Sequence, residues 1–334
     1  MEQKIHVVAI GGGGGATQVL RAVAPFATER SAVIAVTDTG RSTGLARAIA
    51  HIPAPGDLRA TIAAFSTQPL VARLLQHRFN GDGVPQLEGM AFGNVLIAAL
   101  ANELGDFGAA VAYVVNMAGC TVEVLPVSTI DTQICATLAD GSTRIGELGV
   151  RSRDKLPIMQ LYLQRSAPAN PTAINAIHSA DLVVLGPGSL FTTVLAALLH
   201  EGIVEALRTT AAKVVYVCNT TTQPGQSDDL RALDHVQRIV DAVGHGVLDA
   251  ALINRSQPDM VALRQYEAEG LFLLQPDATE IDAISALDVQ PLVRPLTEAV
   301  GQKRTIWNKQ DTVRHDTIAL GAALRELLAA DESL

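Results

Sequence analysis

Residues 11–15 of this chain are all glycine. They separate an almost wholly apolar segment, residues 5–10, from a segment with helical periodicity, residues 16–24. A strand that is apolar at nearly every position is typical of a parallel sheet covered on both faces. Glycine lets the backbone approach a ligand closely, and the N-terminus of the next helix offers free N–H groups and a partial positive charge to an anion. The segment therefore predicts a strand–loop–helix unit that can hold an anionic group.

Three further predicted strands end in loops of small residues, at 38–44, 186–189 and 219–225. In an open parallel sheet, such loops lie along the carboxyl edge, where ligands bind. We therefore predict an α/β fold of the Rossmann-like, doubly wound type, with a mainly parallel sheet and a ligand that carries one or two phosphates. The alternative that the loops are tight turns selected for packing stays open, above all for 186–189.

The chain is predicted to be a single domain, residues 1–330, with two insertions. Residues 57–117 are mainly helical, and Asp57 is expected to be the N-cap of the first helix there. Residues 121–165 alternate between apolar and polar, and Asp140-Gly141 is a type I′ turn signal. This second segment therefore predicts a β-hairpin insertion. We expect a further strand at 271–274.

The composition limits the partners and the compartment. The chain has 25 Lys+Arg against 34 Asp+Glu, a formal net charge of −9, whereas nucleic acids and anionic membranes attract basic surfaces. We therefore expect neither partner. No apolar run reaches the roughly 18–20 residues that cross a bilayer, and the start does not resemble a signal peptide. The 3 cysteines are far apart, which favours a reducing cytoplasm. The oligomeric state stays open, a homo-oligomer included.

One motif favours a dinucleotide ligand. Gly11, Gly13 and Ala16 match the fingerprint G-x-G-x-x-G/A, and Asp38 follows a predicted strand, where an acid would bind ribose. No Gly-Lys-Ser/Thr follows the glycines, which excludes a P-loop ATPase. The serine of the 186–189 loop comes one place too late for G-x-S-x-G, which excludes a hydrolase elbow. A nicotinamide-nucleotide binder therefore stays among the alternatives.

Seven segments occur in order along the chain: VVAIGGGGGATQVLRAV (7–23), AVTDTGRSTGLAR (35–47), PAPGDLRATIAA (53–64), FGNVLIAAL (92–100), VLPVS (124–128), DLVVLGPGSLFTTVL (181–195) and VYVCNTTTQPGQSDDLRALDHV (215–236). Together they resemble the gluconeogenesis factor family of bacteria, within the superfamily of 2-phospho-L-lactate transferase. The resemblance implies a cytoplasmic Rossmann-like protein that binds UDP-sugars and is linked to cell shape and to adaptation to the carbon source. The transferase branch moves 2-phospho-L-lactate from a guanosine diphosphate conjugate onto a deazaflavin with Mg2+, in coenzyme F420 biosynthesis.

The second loop departs from the family pattern D-D-G-G-S-S-G. Thr39 replaces the second acid, Arg41 replaces a glycine, and in the first loop Gly14 stands where threonine is usual. Mg2+ in proteins is typically held by one or two carboxylates, so the lost acid leaves Asp38 as a weak metal ligand and Mg2+ as an uncertain cofactor. We expect ligand binding without a divalent cation, with the Arg41 guanidinium contacting phosphate oxygens.

These observations favour a nucleotide-sugar binding regulator, with nucleoside diphosphates or UDP-sugars as partners. The alternative is a Mg2+-dependent 2-phospho-L-lactate transferase in which Asp38 and Asp57 are catalytic, and the third reading is an NAD-binding protein. The predicted ligand-binding residues are Gly11, Gly12, Gly13, Gly15, Thr37, Asp38, Arg41, Ser42, Asp57, Asn94, Gly186, Gly188, Ser189, Asn219, Thr222, Gln223 and Gly225.

Overall fold

Seven parallel strands form the central sheet of the computed structural model, which describes residues 4–256, 260–298 and 313–329. The strand order is β10-β9-β8-β7-β1-β2-β3. The bounds are β1 His6–Gly11, β2 Glu29–Ile34, β3 Glu123–Pro126, β7 Leu182–Leu185, β8 Lys213–Val217, β9 Ala250–Asn254 and β10 Gln290–Arg294. Because β1 pairs with β2 on one side and with β7 on the other, the chain reverses its winding direction between β1 and β7.

A second, antiparallel sheet has the order β5-β4-β6. Its strands are β4 Ile134–Leu138, β5 Thr143–Ile145 and β6 Ile158–Leu163. Asp140-Gly141 joins β4 to β5 as predicted, but the turn is not of type I′, because only Gly141 has a positive φ, 81°, and Asp140 does not. This positive φ is one that glycine adopts without steric cost, which explains why the turn forms here.

Helices cover both faces of the parallel sheet and build the helical insertion. Their bounds are α1 Gly13–Ala22, α2 Arg41–Ala50, α3 Gly56–Ala64, α4 Pro69–Gln76, α5 Phe92–Leu104, α6 Phe107–Met117, α7 Gly146–Val150, α8 Pro171–His178, α9 Ala196–Leu198, α10 Ile203–Thr209, α11 Ala232–Val243, α12 Met260–Glu267, α13 Ala278–Ser285 and α14 Thr317–Ala329. A 3-10 turn, Pro85–Leu87, precedes α5, and a π-helix, Leu190–Leu195, runs into α9. In the described ranges, no helix combines the length and the apolar character needed to cross a membrane.

The α/β class predicted from the apolar strands is confirmed. All four residues of β7 are fully buried, as are Val7, Val8, Ala9 and Ile10 in β1. A strand in the middle of a sheet covered by helices on both faces has no solvent side, so it shows no alternation of polar residues. Helix α1 packs against α3 and α14 as well as on β1 and β2.

Two sequence-based assignments differ from the structure. Glu123–Pro126, expected within the β-hairpin insertion, pairs with β2 as the edge strand of the parallel sheet. The strand expected at 271–274 is wrong: Leu273 makes only an isolated bridge to Thr221, and Gln290–Arg294 takes the edge position beside β9. Both edge strands are short, and a short apolar run does not itself specify which neighbour it pairs with.

Candidate functional site

The loops after β1 and β7 meet at the point where the sheet reverses its winding. A Cβ atom built on Gly15 would overlap the carbonyl oxygen of Pro187, so the two loops are in direct backbone contact. A cavity of about 470 Å³ opens beside them. The crevice at such a reversal, outside the carboxyl ends of the strands, is where ligands bind in open α/β sheets.

Nine of the predicted ligand-binding residues line this cavity. They are Gly12, Gly13, Gly15, Asp38, Asp57, Gly188, Ser189, Asn219 and Gln223. They come from four separate loops and from the first turn of α3, and parallel pairing brings these segments to one edge.

Helix α1 begins at Gly13, inside the glycine run, and its N-terminus borders the cavity. Its first N–H groups lack carbonyl partners within the helix, as at any helix start. The N–H of Gly13 donates to Asp57 Oδ2 at 2.8 Å. For Gly14 and Gly15, no hydrogen bond from the backbone N–H to another group of the described chain is found. These N–H groups can therefore bind an anion from the cavity.

Asp57 does not cap its own helix. Helix α3 begins at Gly56 with Pro55 in the N-cap position, so the expected N-cap role was wrong. The carboxylate instead caps α1 through Gly13, 44 residues earlier in the chain. An acid in the first turn of one helix thus stabilises the start of another, and it is 8% exposed at the cavity wall.

The side-chain amide of Asn219 has a hydrogen-bond partner at its oxygen but, within the described residues, none at its nitrogen. Its Oδ1 accepts the N–H of Gly188 at 3.1 Å, which orients the amide. Its Nδ2 is buried without a hydrogen-bond partner, although the residue lines the cavity and is 7% exposed. A buried donor without an acceptor is costly, so Nδ2 is suited to an acceptor oxygen of a ligand.

Hydroxyl and amide groups form a network beside Asn219. Thr192 Oγ1 donates to Ser189 Oγ at 2.7 Å, and Ser189 Oγ donates to Gln226 Oε1. Ser189 also accepts the N–H of Thr192 at the start of the π-helix. The Ser189 hydroxyl is therefore held by the protein on both its donor and its acceptor side.

The β-hairpin insertion reaches the same cavity through Glu147 and Arg151. Glu147 Oε1 accepts from Arg151 Nη1 at 2.8 Å, and its Oε2 accepts the backbone N–H of Thr39 at 3.0 Å. Glu147 is buried, whereas the Arg151 side chain is 35% exposed. Neither residue is among the predicted site residues, because the sequence pattern indicated a β-hairpin here and not the short helix α7.

Ser42 and Asn94 do not line the cavity but belong to a buried network. Asn94 Nδ2 donates to Ser42 Oγ at 3.0 Å, and Asn94 Oδ1 accepts from Arg59 Nε at 3.0 Å. Burial lowers the pKa of Arg59 to about 10, with a smaller contribution from the Arg78 charge and an opposing one from Asp57. The network ties α2, α3 and α5 together, so Ser42 and Asn94, which the sequence places among the ligand-binding residues, form hydrogen bonds within the protein instead.

Five further predicted site residues do not line the cavity: Gly11, Thr37, Gly186, Thr222 and Gly225. Thr37 is fully buried, and Thr222 Oγ1 donates to Gly270 O and accepts the N–H of Phe272. The backbones of Gly11 and Gly186 lie against each other, and Gly225 packs on the carbonyl of Arg151. The backbone of Arg41 starts α2, but its side chain lies outside the described residues.

Residues distant in sequence complete the cavity wall. Besides Glu147 and Arg151, they include Arg21, Thr193, Gln226, Leu271, Val313, Arg314 and His315. The side chain of Thr220 donates to the carbonyl of Val313, which holds the last segment against the loop after β8. Arg21, Thr193 and Gln226 lie within the motif segments but outside the predicted loops. No motif marks the last four positions, so the sequence pattern could not have identified them.

The carboxylates at the cavity fit a resident metal poorly. In the part of the chain that the structure describes, no group of three or more His, Cys, Asp or Glu residues is arranged to hold a metal ion. Of the three acids that line the cavity, Asp57 accepts a helix N–H and Glu147 accepts from both Arg151 and Thr39. Asp38 has a further protein interaction of its own.

Burial favours the uncharged forms of the histidine and the cysteine near the site. His315 Nε2 lies 3.1 Å from the carbonyl of Cys218, and burial lowers the pKa of His315 to about 4. Burial likewise raises the pKa of the Cys218 thiol to about 12. A thiol acts as a nucleophile only as the thiolate, so Cys218 is a core residue at neutral pH.

Comparison with known proteins identifies the family to which this fold belongs. Residues 7–296 match the family described as 2-phospho-L-lactate transferase CofD. The gluconeogenesis factor of Bacillus subtilis is 33% identical over 330 residues, 98% of this chain and 99% of its own length. That of Halalkalibacterium halodurans is 36% identical over 327 residues, 97% of both chains. The crystal structure of protein BH3568 from Bacillus halodurans aligns with a TM-score of 0.86 at 31% identity, covering 97% of this chain and 100% of that one.

Proposed function

The chain belongs to the 2-phospho-L-lactate transferase CofD family, and from this premise we propose that it is a cytoplasmic binding protein for a nucleoside diphosphate sugar of the UDP-sugar type. Its curated relatives of similar length carry the name gluconeogenesis factor. By that kinship, the proposed role is regulatory, linked to cell shape and to adaptation to the carbon source.

The observation that carries the proposal is the buried, unpartnered Nδ2 of Asn219. It lines the same cavity as the α1 N-terminus, where Gly14 and Gly15 also offer N–H groups. Donors on two sides of a crevice, with a helix dipole behind one of them, suit the oxygens of a diphosphate. The cavity volume of about 470 Å³ falls in the range for small-molecule sites.

The transferase alternative retains support from the family match, but the cavity offers no aromatic lining among its described residues. A deazaflavin acceptor is a large flat ring system, and proteins bind such rings with aromatic side chains. None of the described residues that line the cavity is Phe, Tyr or Trp. We therefore propose binding rather than transfer as the activity. A preference for GDP over UDP would instead favour the transferase.

Calorimetry and thermal shift test the proposal with UDP-glucose, UDP, GDP and NAD. We expect stabilisation by UDP-glucose and UDP, because a ligand at 100 times its Kd stabilises the folded state by about 2.7 kcal/mol. Stabilisation by NAD alone would contradict the proposal and support the dinucleotide reading of Gly11, Gly13, Ala16 and Asp38.

The decisive variant is Asn219→Asp, which keeps an oxygen for the Gly188 N–H but removes the Nδ2 donor. It should lower the affinity for UDP by at least about tenfold, because it also places a negative charge beside the phosphates. Asn102→Asp adds the same charge at an exposed position of α5 that does not line the cavity, and it should not change the affinity. Equal UDP affinity of Asn219→Asp and the wild type would remove Asn219 from the site.

We also predict that binding does not require a divalent cation, because Thr39 lacks the second acid of the family loop and the remaining cavity acids have protein partners. Calorimetric titration of UDP-glucose in EDTA and then in excess Mg2+ measures this directly. Affinity that vanishes in EDTA would show that the ligand brings a metal with it.

A further inference from the structure

Residues 146–155, here called the insertion arm, cross the mouth of the crevice from one flank to the other. On one flank, Glu147 accepts the N–H of Thr39, in the loop that follows β2. On the other, Lys155 Nζ donates to the carbonyl of Gly225, in the loop that follows β8. In the sheet order β2-β1-β7-β8, the loops of β2 and β8 lie on either side of the loops of β1 and β7. The arm therefore spans the crevice and forms its outer wall, here called the roof.

Arg151 is the residue of this roof with unused hydrogen-bonding capacity. A guanidinium has five N–H donors in a planar fork. Within the described chain, the only hydrogen bond found for this guanidinium is the one to Glu147, at 2.8 Å. The side chain lines the cavity and is 35% exposed. Its remaining donors are therefore accessible to a ligand in the crevice.

We propose that Arg151 is a second anion-binding group of this site, placed opposite the α1 N-terminus by the insertion arm, and that Glu147 positions it. The inference rests on the proposed binding of a nucleoside diphosphate and deepens it by naming the residue that contacts the phosphates from the roof. Arginine binds phosphate oxygens with paired, charge-assisted hydrogen bonds. The site thus has helix N–H groups on one side of the anion and a full positive charge on the other.

The departure at Thr39 is consistent with this arrangement. A Cβ built on Gly146 would lie 3.7 Å from Thr39 Cγ2, so the Thr39 side chain lies beside the start of α7. An acid at position 39 would add a second carboxylate next to Glu147 and compete for the Arg151 charge. Threonine leaves Glu147 and Arg151 as a single pair, and the N–H of Thr39 anchors that pair to the loop.

Titration calorimetry with UDP at low and high salt tests the inference, with Arg151→Ala and Arg153→Ala as a matched pair. Arg153 lies two residues further along the arm, is exposed and does not line the cavity. We expect Arg151→Ala to weaken UDP binding by about tenfold or more and to flatten its dependence on salt, because one charge no longer faces the phosphates. Arg153→Ala should retain the wild-type affinity.

Glu147→Gln and Thr39→Asp complete the set. Glu147→Gln should weaken UDP binding in the wild-type background, since a positioning residue acts through its partner. In Arg151→Ala the same change should leave binding unchanged or tighten it slightly, because only the removal of a negative charge remains. Thr39→Asp should weaken UDP binding severalfold. Arg151→Gln preserves the length of the side chain better than Arg151→Ala. It replaces Arg151→Ala in the comparison if the melting temperature of that variant falls.

Two outcomes separate the proposals. If wild type binds UDP and both Arg151→Ala and Arg151→Gln bind it equally well at each salt concentration, Arg151 is not an anion-binding group, while the proposed function stands. If wild type binds neither UDP nor UDP-glucose, the proposed function fails and this inference fails with it.

Discussion

Neighbouring glycines in residues 11–15 differ in whether the structure leaves space for a side chain. A Cβ on Gly15 would overlap the carbonyl oxygen of Pro187, and one on Gly13 would lie 2.6 Å from the carbonyl oxygen of Asp57. A Cβ on Gly14 would meet nothing within 4 Å. Close packing of loop on loop, rather than room for a phosphate, therefore explains two of these glycines. A valine at position 13 would disrupt the contact with α3 and would not report on ligand binding alone.

A pair of alanine variants tests this distinction. Gly14→Ala should leave the free energy of unfolding unchanged or raise it by about 0.4–1 kcal/mol, because alanine loses less conformational freedom than glycine in a helix. Gly15→Ala should lower it by about 1–3 kcal/mol, the range for overpacking. Urea unfolding of both variants measures the difference, and equal stabilities would mean that the loops separate at little cost.

Asp57 combines a structural role with a position at the cavity. Asp57→Ala should lower the free energy of unfolding by about 0.5–2 kcal/mol, the usual value of an N-cap, whereas Asp57→Asn should retain most of it. Asp57→Asn should also tighten UDP binding severalfold, because it removes a negative charge close to the phosphates. Urea unfolding and calorimetry of the two variants check both statements. Identical UDP affinity of Asp57→Asn and wild type would leave the aspartate as a cap only.

At the scale of elements, the loop that follows β2 is clamped from both sides. Glu147 holds the N–H of Thr39, and Arg47 of α2 donates to the carbonyl of Asp38 at 2.9 Å. Arg47 also pairs with Asp131 at 2.7 Å, just before β4. The antiparallel insertion thus determines where Asp38 and Thr39 lie, although these residues follow a strand of the other sheet.

Removal of the Arg47 contacts should lower the free energy of unfolding. Arg47→Met should lower the free energy of unfolding by about 3 kcal/mol, the lower end for a broken buried ion pair, because Asp131 remains 30% exposed and keeps part of its hydration. Arg73→Met on the exposed surface of α4 should change it by less than about 0.5 kcal/mol. Chemical denaturation of both variants provides the comparison, and similar losses would contradict a structural role for Arg47.

At the scale of the whole molecule, three buried histidines should make folding sensitive to acid. Burial lowers the pKa of His200, His235 and His315 to about 4 in each case. The unfolded chain binds a proton near pH 6.5 and the folded chain does not, so the stabilisation is complete above about pH 6.5 and is lost as the pH falls towards 4. Each histidine should therefore lower the free energy of unfolding by about 2 kcal/mol at pH 5 relative to pH 7.5.

Unfolding in urea at pH 7.5, 6 and 5 measures this loss. His235→Gln should reduce the pH dependence by about a third, even if it lowers stability at pH 7.5, where the Tyr216 hydroxyl contacts the ring 3.2 Å away. A pH profile that is unchanged in His235→Gln would indicate that this histidine binds its proton equally well in the folded and the unfolded chain.

The sequence by itself determined the class of the fold and the edge of the sheet at which the loops gather. Both follow from local rules: strands buried on two faces are apolar throughout, and the carboxyl ends of parallel strands share an edge. It also marked Asn219 and the helix start in the glycine run, because these features lie directly after strands.

Only the tertiary structure decided which polar side chains face the cavity. Asn94 and Ser42 satisfy each other across α2 and α5, whereas Glu147 and Arg151 come to the crevice from an antiparallel insertion with no motif of its own. Whether a side chain faces solvent, core or cavity depends on the partners that packing brings to it across long stretches of sequence. Asp57 illustrates the limit: its residue type predicted a cap, but the helix that it caps begins 44 residues earlier.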